Sequence, residues 1–353
     1  MKIFFQFIKR ERLYLLLLVF IVLLNVLLLT GTDKVKKSEK AEKVTAAESG
    51  KPVSEKETLA VSQEKAREFL KENRDIALLF SLASLLIFAI LLLGVVIDFL
   101  LIIRRLSGRA LDMATSPVGE AGWNLLDVGK VVLLFVFFGY MIIIVESLLI
   151  KTFPLIGNDN FRMMLNSSIL DILAIIFILH FVIVERKDSL ASLGLNLKNL
   201  RTNIIYGMIG YIAIVPVLLG ILAVTMFIIN LIHYTPEKQP VVELFLKEKD
   251  PVFLMYTSLF AAIAGPFVEE IFFRGFMYKA AKKYLGIFWS MFLTAAIFAA
   301  LHTNVVGFVP IMVLGMLLAY LYEKTGTLVS SITVHVIHNL SMVFMVFLIK
   351  QIG

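Results

Sequence analysis

The feature that most limits what this chain can fold into is a series of long apolar runs separated by short polar segments. A helix needs about 20 apolar residues to cross the hydrocarbon core of a bilayer. Because every backbone amide and carbonyl must be paired internally in lipid, runs of this length become helices. The predicted fold class is therefore all-α, a polytopic transmembrane helix bundle. About nine spans are predicted, at 13–30, 76–103, 131–150, 164–184, 204–232, 252–273, 285–302, 307–322 and 327–349.

Composition supports this class and excludes several others. Hydrophobic residues occupy 59% of the 353 positions and charged residues 17%, against roughly 25% charged in soluble proteins. Together with a mean hydropathy of +0.89, these figures exclude a soluble globular domain and a disordered chain. The chain has no cysteine, which excludes a disulfide framework, a thiol nucleophile and a thiolate metal site.

The net charge of +7 is better explained by membrane topology than by nucleic-acid binding. The basic residues lie at the ends of the predicted spans and not in a patch interleaved with aromatic residues. With the N-terminus in the cytoplasm, the inner loops hold basic residues such as Arg104, Arg186 and Lys282, as the positive-inside rule favours. The expected partners include membrane lipids but no nucleic acid. A prokaryotic plasma membrane is favoured, and a eukaryotic endomembrane stays open.

Four regions are predicted along the chain. Residues 1–30 form an N-terminal membrane anchor, because the apolar run after their basic start is long and no small-residue cleavage site follows it. Residues 31–75 form a hydrophilic, charged segment outside the membrane, disordered or loosely helical, and either a solvated spacer or a substrate-recruiting element. Residues 76–250 form accessory transmembrane helices, and residues 251–353 form the core that carries the candidate site.

Ionisable side chains at bilayer depth are the first candidates for function, since each costs about 2.5–3.5 kcal/mol to insert. Four of them are scattered singly, and we expect them to make hydrogen bonds between helices or to reach the membrane surface. These four are Asp98, Glu146, Asp171 and His180. The others fall within three of the last four spans.

The sixth span carries two adjacent carboxylates and a guanidinium, those of Glu269, Glu270 and Arg274. Glu270 and Arg274 are four residues apart on one helix face, so they can pair. Glu269 points about 100° away around the helix. One carboxylate can therefore be held by Arg274 while the other faces elsewhere. Pro266, one turn earlier, can loosen the helix and free backbone groups.

Two later spans carry the histidines. His302 ends the seventh span, after small residues that let another helix approach closely. His335 and Asn339 are four residues apart on the last span, so both can aim at one point inside the bundle. His338 lies to one side of them and is predicted to pack or to hydrogen-bond. Converging acid, imidazole and amide groups predict activation of water at an acyl carbon, with an oxyanion stabilised by N–H donors.

At these residues the sequence resembles the CPBP family, which comprises CAAX prenyl endopeptidases, bacteriocin-processing proteins and the related Abi proteins. The matching motifs are Glu-Glu-Ile-Phe-Phe-Arg at 269–274, Phe-Ala-Ala-Leu-His at 298–302 and His-Val-Ile-His-Asn at 335–339. Each motif is short, but their order, separation and placement on apolar helices agree with the family. The resemblance covers roughly residues 251–349, so the catalytic core is expected in the last four spans.

The resemblance implies an intramembrane endopeptidase in which Glu269 and His302 activate water. It implies that His335 and Asn339 form the oxyanion hole, and that the second glutamate and the arginine of the first motif support the site. A peptide or protein substrate is expected, lipidated or not, because prokaryotic members need not act on prenylated proteins.

Metal use is left open by the resemblance, because the family has been interpreted both as metal-dependent and as glutamate-type. The chain has no His-Glu-x-x-His zinc helix, the usual pattern for a zinc peptidase. A reaction without a required cofactor is therefore favoured. If zinc is used, the expected ligands are Glu269, His302 and His335.

Two other functions compete with the peptidase. A non-enzymatic membrane scaffold or bacteriocin-immunity protein could keep the same polar cluster as a folding nucleus. A transporter could use Glu269, His302 and His335 as a proton relay. No inverted repeat and no matching pair of broken helices is visible in the sequence, which weighs against the transporter.

Overall fold

The computed structural model of the chain describes residues 9–43, 64, 68–109, 118–153, 157–236 and 239–352. Within these ranges all regular secondary structure is helical and no strand occurs, as predicted for an all-α bundle. The α-helices are α1 (Arg12–Lys43), α2 (Arg74–Leu106), α3 (Leu125–Leu149), α4 (Asp159–Leu179), α5 (Leu200–Leu231), α6 (Pro240–Lys247), α7 (Pro251–Leu259), α8 (Gly265–Glu270), α9 (Lys279–Leu301), α10 (Phe308–Thr325) and α11 (Val329–Ile352).

Among the described residues, seven helical segments are long and apolar enough to cross a membrane by length and composition. They are Arg74–Leu106, Leu125–Leu149, Asp159–Glu185, Leu200–Leu231, Pro251–Leu301, Phe308–Thr325 and Val329–Gln351. A shorter apolar helix, Arg12–Leu27, forms the first part of α1. The protein is therefore an integral membrane protein built as a polytopic helix bundle.

The seven segments differ from the nine predicted spans at two places. The predicted spans 252–273 and 285–302 both fall within the run Pro251–Leu301, whose 51 residues would extend about 76 Å as one straight helix, more than twice the ~30 Å hydrocarbon core. That run contains a bend at Gly286, whose φ of 70° and ψ of −177° are not helical and are readily adopted only by glycine. The first predicted span, 13–30, lies in α1, where the apolar part is shorter than the other segments.

The hydrophilic segment predicted at 31–75 is described in part. Helix α1 continues to Lys43, and residues 68–72 are helical up to a break at Asn73. The prediction for residues 44–63 lies outside the described residues.

The C-terminal helices pack on one another and on the loop that precedes α5. Helix α5 packs along α11, and α9 packs along α10. The loop residue Leu193 is fully buried, and its carbonyl accepts a hydrogen bond of 3.2 Å from the Tyr322 hydroxyl. The next carbonyl, that of Gly194, accepts from the Leu328 amide at 2.9 Å. The loop before α5 therefore fixes the turn between α10 and α11.

Lysines at the start of α9 also hold this end of the bundle together. Lys279 donates to the Ser192 carbonyl at 2.5 Å, and Lys283 donates to the Trp123 carbonyl at 2.9 Å. Lys282 pairs at 2.5 Å with a carboxylate of α10. The basic residues expected from topology therefore also satisfy loop carbonyls, which have no partner within a helix.

A second ionic cluster attaches the N-terminal helix to α3. Lys130 lies 2.6 Å from the Glu11 carboxylate and 4.9 Å from the centre of the Tyr14 ring. Beside it, Arg186 donates to both oxygens of the buried Asp127, at 2.9 and 2.7 Å. Because Asp127 belongs to α3 and Arg186 directly follows the segment Asp159–Glu185 that begins with α4, this pair also joins those two helices.

The Glu11 contact makes stability depend on pH. Burial alone would raise the pKa of Glu11, but hydrogen bonds from Lys130 and Arg10 outweigh burial and lower it. A lowered pKa means that the stabilisation is present at neutral pH and is lost as the pH falls through that lowered value. We expect Glu11→Gln to lower the thermal midpoint at about pH 7 and to reduce the further loss seen in the wild type towards about pH 4.

Thermal unfolding in detergent at both pH values checks this prediction. Glu120→Gln, which changes an exposed glutamate, is the control and should follow the wild type. An identical loss of midpoint on acidification in wild type and Glu11→Gln would contradict it.

Candidate active site

The first predicted motif lies where a membrane helix alternates between α and π geometry. After α7 come a π segment, Phe260–Ala264, then α8, then a second π segment, Ile271–Tyr278. Glu269 and Glu270 end the short α8 between the two π segments. Such π-bulges are frequent at functional sites, because they shift the register of the residues that follow.

Glu270 is the buried member of the glutamate pair. Its side chain has 0% exposure, and its Oε1 accepts a hydrogen bond of 2.7 Å from Arg274 Nη1. Arg274 Nη2 donates in turn to the Gly315 carbonyl of α10 at 3.2 Å. A Cβ atom at position 315 would lie only 3.2 Å from that guanidinium nitrogen and 3.1 Å from Ala295. The pairing expected from the four-residue spacing is present, and it depends on a glycine at the facing position.

His335 links the two glutamates. Its Nδ1 lies 2.9 Å from Glu270 Oε1, and because an ionised carboxylate only accepts, Nδ1 carries the hydrogen. Its Nε2 faces Glu269 Oε2 at 3.5 Å. The Glu269 side chain is 36% exposed, whereas those of His335 and Glu270 are almost completely buried. Glu269 is therefore the member of the pair that a small molecule can reach.

Phe298 places the two histidine rings. Its ring centre lies 4.7 Å from that of His302 and 5.6 Å from that of His335, in edge-to-face geometry with both. The Arg274 guanidinium lies over the same phenyl ring, 4.6 Å from its centre. The phenylalanine of the second motif therefore contacts a charged or polar residue from each of the three motifs.

One ring nitrogen of His302 is hydrogen-bonded within its own helix, and the other is available to a ligand. His302 caps the end of α9, and its Nδ1 lies 2.8 Å from the Phe298 carbonyl. A carbonyl can only accept, so Nδ1 carries the hydrogen and Nε2 carries a lone pair. His302 is half-buried and forms no ion pair with Glu269 or Glu270.

Asn339 lies one turn beyond His335 on α11, as predicted, and is partly buried. Its Nδ2 donates to the carbonyl of Ala261, in the first π segment, at 2.9 Å. The amide is thus directed towards the helix that carries Glu269, and its nitrogen bears a second hydrogen.

Two residues near the site were not among the predicted catalytic residues. Asp171 of α4 is partly buried and lies within electrostatic range of Glu269. The sequence places Asp171 nearly a hundred residues from Glu269, and no local spacing signals the contact. His338 lies within electrostatic range of both His302 and His335. Its ring packs edge-on against that of Tyr211, with 6.2 Å between the ring centres, in line with its predicted packing role.

The other scattered polar residues are structural where the contacts are defined. Glu146 accepts a hydrogen bond of 3.2 Å from Asn166 on the neighbouring helix, as predicted for an interhelical contact. His180 lies 3.6 Å from Glu185 in the same helical segment. Asp98 lies partly buried on α2, which packs against α5.

The described residues do not assemble a metal site in this arrangement. No group of three or more His, Asp or Glu side chains among them is placed to hold a metal ion. The set Glu269, His302 and His335 therefore does not form a three-ligand centre here, and the steps proposed below use no metal.

Residues 251–341 match the family model described as Type II CAAX prenyl endopeptidase Rce1-like. The match covers just over a quarter of the 353-residue chain and includes all three motifs. No curated protein and no solved structure matches the chain. The match supports the predicted resemblance of this C-terminal segment to CAAX prenyl endopeptidases, and it supports a CAAX-type intramembrane endopeptidase in general.

The Glu270–Arg274 pair should behave as a buried ion pair. Arg274→Met leaves the Glu270 carboxylate buried without its guanidinium partner, so we expect a destabilisation of about 3–5 kcal/mol. The double variant Glu270→Gln/Arg274→Met should be less destabilised than the single one, because a neutral amide needs no counter-charge. Unfolding in detergent measures both differences.

Lys247→Met is the matched control, since Lys247 pairs with Glu243 over the same four-residue spacing but at the surface, with the lysine side chain 71% exposed. That change should cost less than about 1 kcal/mol. A double variant less stable than Arg274→Met would contradict the assignment.

Proposed function

We propose that the protein is an intramembrane endopeptidase that hydrolyses a peptide bond near the membrane surface, with Glu269 and His302 activating water. One observation carries the proposal. Of two adjacent glutamates, Glu270 is buried against Arg274 and His335, while Glu269 stays 36% exposed beside the same histidine. This arrangement leaves Glu269 as an accessible carboxylate inside an apolar bundle, which suits a general base.

In the first step a water oxygen attacks the carbonyl carbon of the scissile bond. Glu269 accepts a proton from that water, and the lone pair on His302 Nε2 accepts a hydrogen bond from its other hydrogen. The electron pair of the C=O π bond moves to oxygen and forms the oxyanion of a tetrahedral intermediate. When the C–N bond breaks, Glu269 returns its proton to the leaving nitrogen, and a carboxylic acid and an amine are released.

The oxyanion is proposed to be stabilised by His335 and Asn339. Because His335 Nδ1–H is bonded to Glu270, Nε2 can donate only when the ring is an imidazolium. Glu270 would act on His335 as a buried aspartate acts on the histidine of a serine protease, and each donor would be worth about 3–4 kcal/mol.

The substrate class follows from the setting. A site within a helix bundle and a CAAX-type family segment favour a peptide or protein substrate held at the membrane, lipidated or not. A plasma-membrane location in a prokaryote, with the N-terminus in the cytoplasm, accords with the basic residues of the inner loops.

Replacing the proposed base tests the mechanism. Glu269→Gln keeps the size of the side chain and a polar neighbour for His335 but cannot accept the proton of water, so cleavage should fall by at least about 10²-fold, within the range of general-base effects. The readout is mass-spectrometric detection of products from a library of membrane-associated peptides, with and without a prenyl group. His302→Ala should lose activity similarly, and Asn339→Ala should retain weak turnover.

Asp98→Asn is the matched control, because it neutralises a different carboxylate at membrane depth on α2. It should cleave like the wild type. Full activity of a folded Glu269→Gln protein would end the assignment, and an unchanged cellular phenotype with this variant would favour the scaffold.

Chelation tests the proposal that no metal is required. Cleavage by protein dialysed against a strong chelator should match that of untreated protein, because the proposed proton transfers involve only side chains. Addition of zinc should not increase the rate. Loss of cleavage on chelation, with rescue by zinc, would reverse the metal-free proposal.

A further inference from the structure

Pro266 leaves one backbone carbonyl of the Glu269-bearing helix without an amide partner. In the first π segment the Gly265 amide donates to the Phe260 carbonyl, five residues back. The next bond in this register would run from residue 266 to the Ala261 carbonyl. Proline has no N–H to give, so that bond cannot form. A carbonyl left unpaired in an apolar bundle costs free energy comparable to a lost hydrogen bond.

The side chain of Asn339 supplies the missing donor. Its Nδ2 lies 2.9 Å from the Ala261 oxygen, although the two residues belong to different helices. Ala261 is two helical turns before Glu269, and Asn339 is one turn after His335. The hydrogen bond therefore connects the helix that carries Glu269 to the helix that carries His335, and those two side chains lie 3.5 Å apart.

We propose that Asn339 is a positioning residue. Its side chain supplies the hydrogen bond to Ala261 that Pro266 cannot donate, and thereby holds Glu269 in a fixed position relative to His335. This role rests on the proposed function for its catalytic meaning, and it is additional to donation towards the oxyanion. One amide hydrogen is held by Ala261. The second hydrogen on the same planar nitrogen then points in a fixed direction, so the structural bond also orients the catalytic donor.

A double-mutant cycle tests the assignment without reference to activity. In Pro266→Ala, residue 266 regains an N–H that can bond to Ala261, so Asn339 is no longer needed there. Asn339→Ala should lower the thermal midpoint by roughly 2–4 °C in the wild-type background. In the Pro266→Ala background the same change should cost less than half as much.

Pro216 provides the matched control, because it is a proline inside another membrane helix, α5. Asn339→Ala should keep its full cost in the Pro216→Ala background. An equal cost of Asn339→Ala in all three backgrounds would overturn the proposal.

Should Pro266→Ala fail to insert, amide hydrogen exchange decides instead. Asn339→Ala should speed exchange across 260–271 and leave α10 unchanged, whereas equal exchange in both proteins would overturn the proposal.

Kinetics separate positioning from a purely structural contact. Relative to Asn339→Ala, the double variant Pro266→Ala/Asn339→Ala should recover kcat several-fold with KM unchanged, because Glu269 is repositioned while the lost oxyanion donor is not replaced. Unchanged kcat together with an additive stability cycle would refute the role. If the wild type cleaves no peptide while the stability cycle is non-additive, the proposed function fails and the Asn339–Ala261 link stands.

Discussion

The buried carboxylate of Glu270 is the constraint on which the rest of the site depends. An ionised group with no solvent exposure is stable only with good partners, and Glu270 finds two, at 2.7 Å on Arg274 and 2.9 Å on His335. Those partners come from the following helical turn and from α11. Holding this charge therefore requires the helices that carry the first and third motifs to pack together.

The hydrogen bonds to the Glu270 carboxylate also give the neighbouring residues different roles. The bond to His335 Nδ1 directs Nε2 towards Glu269, so one histidine contacts both glutamates through its two nitrogens. Phe298 fills the space between the histidine rings and supports the guanidinium face. The accessible groups, Glu269 and His302 Nε2, are thus held by residues that take no part in proton transfer.

Much of this could be predicted from local spacing, because side chains four residues apart share a helix face. That rule predicts the Glu270–Arg274 pair and the common direction of His335 and Asn339. It cannot predict contacts between distant helices, so it misses the bond from His335 to Glu270 and the electrostatic interaction between Asp171 and Glu269. Hydropathy places spans at 252–273 and 285–302 but does not reveal that the chain passes between them through a break at Gly286. Likewise, Pro266 predicts a loosened helix without revealing that the Asn339 side chain bonds to the carbonyl left free.

The central claim is that three helices bring Glu269, His302 and His335 to one chamber that water can reach. An experimental density map of the protein in lipid, at a resolution that shows ordered water, tests it most directly. The account predicts Glu270 enclosed by Arg274 and His335, with Glu269 and His302 Nε2 bordering a shared solvent site. Glu269, His302 and His335 facing separate lipid-exposed surfaces, too far apart for one water to bridge, would contradict it.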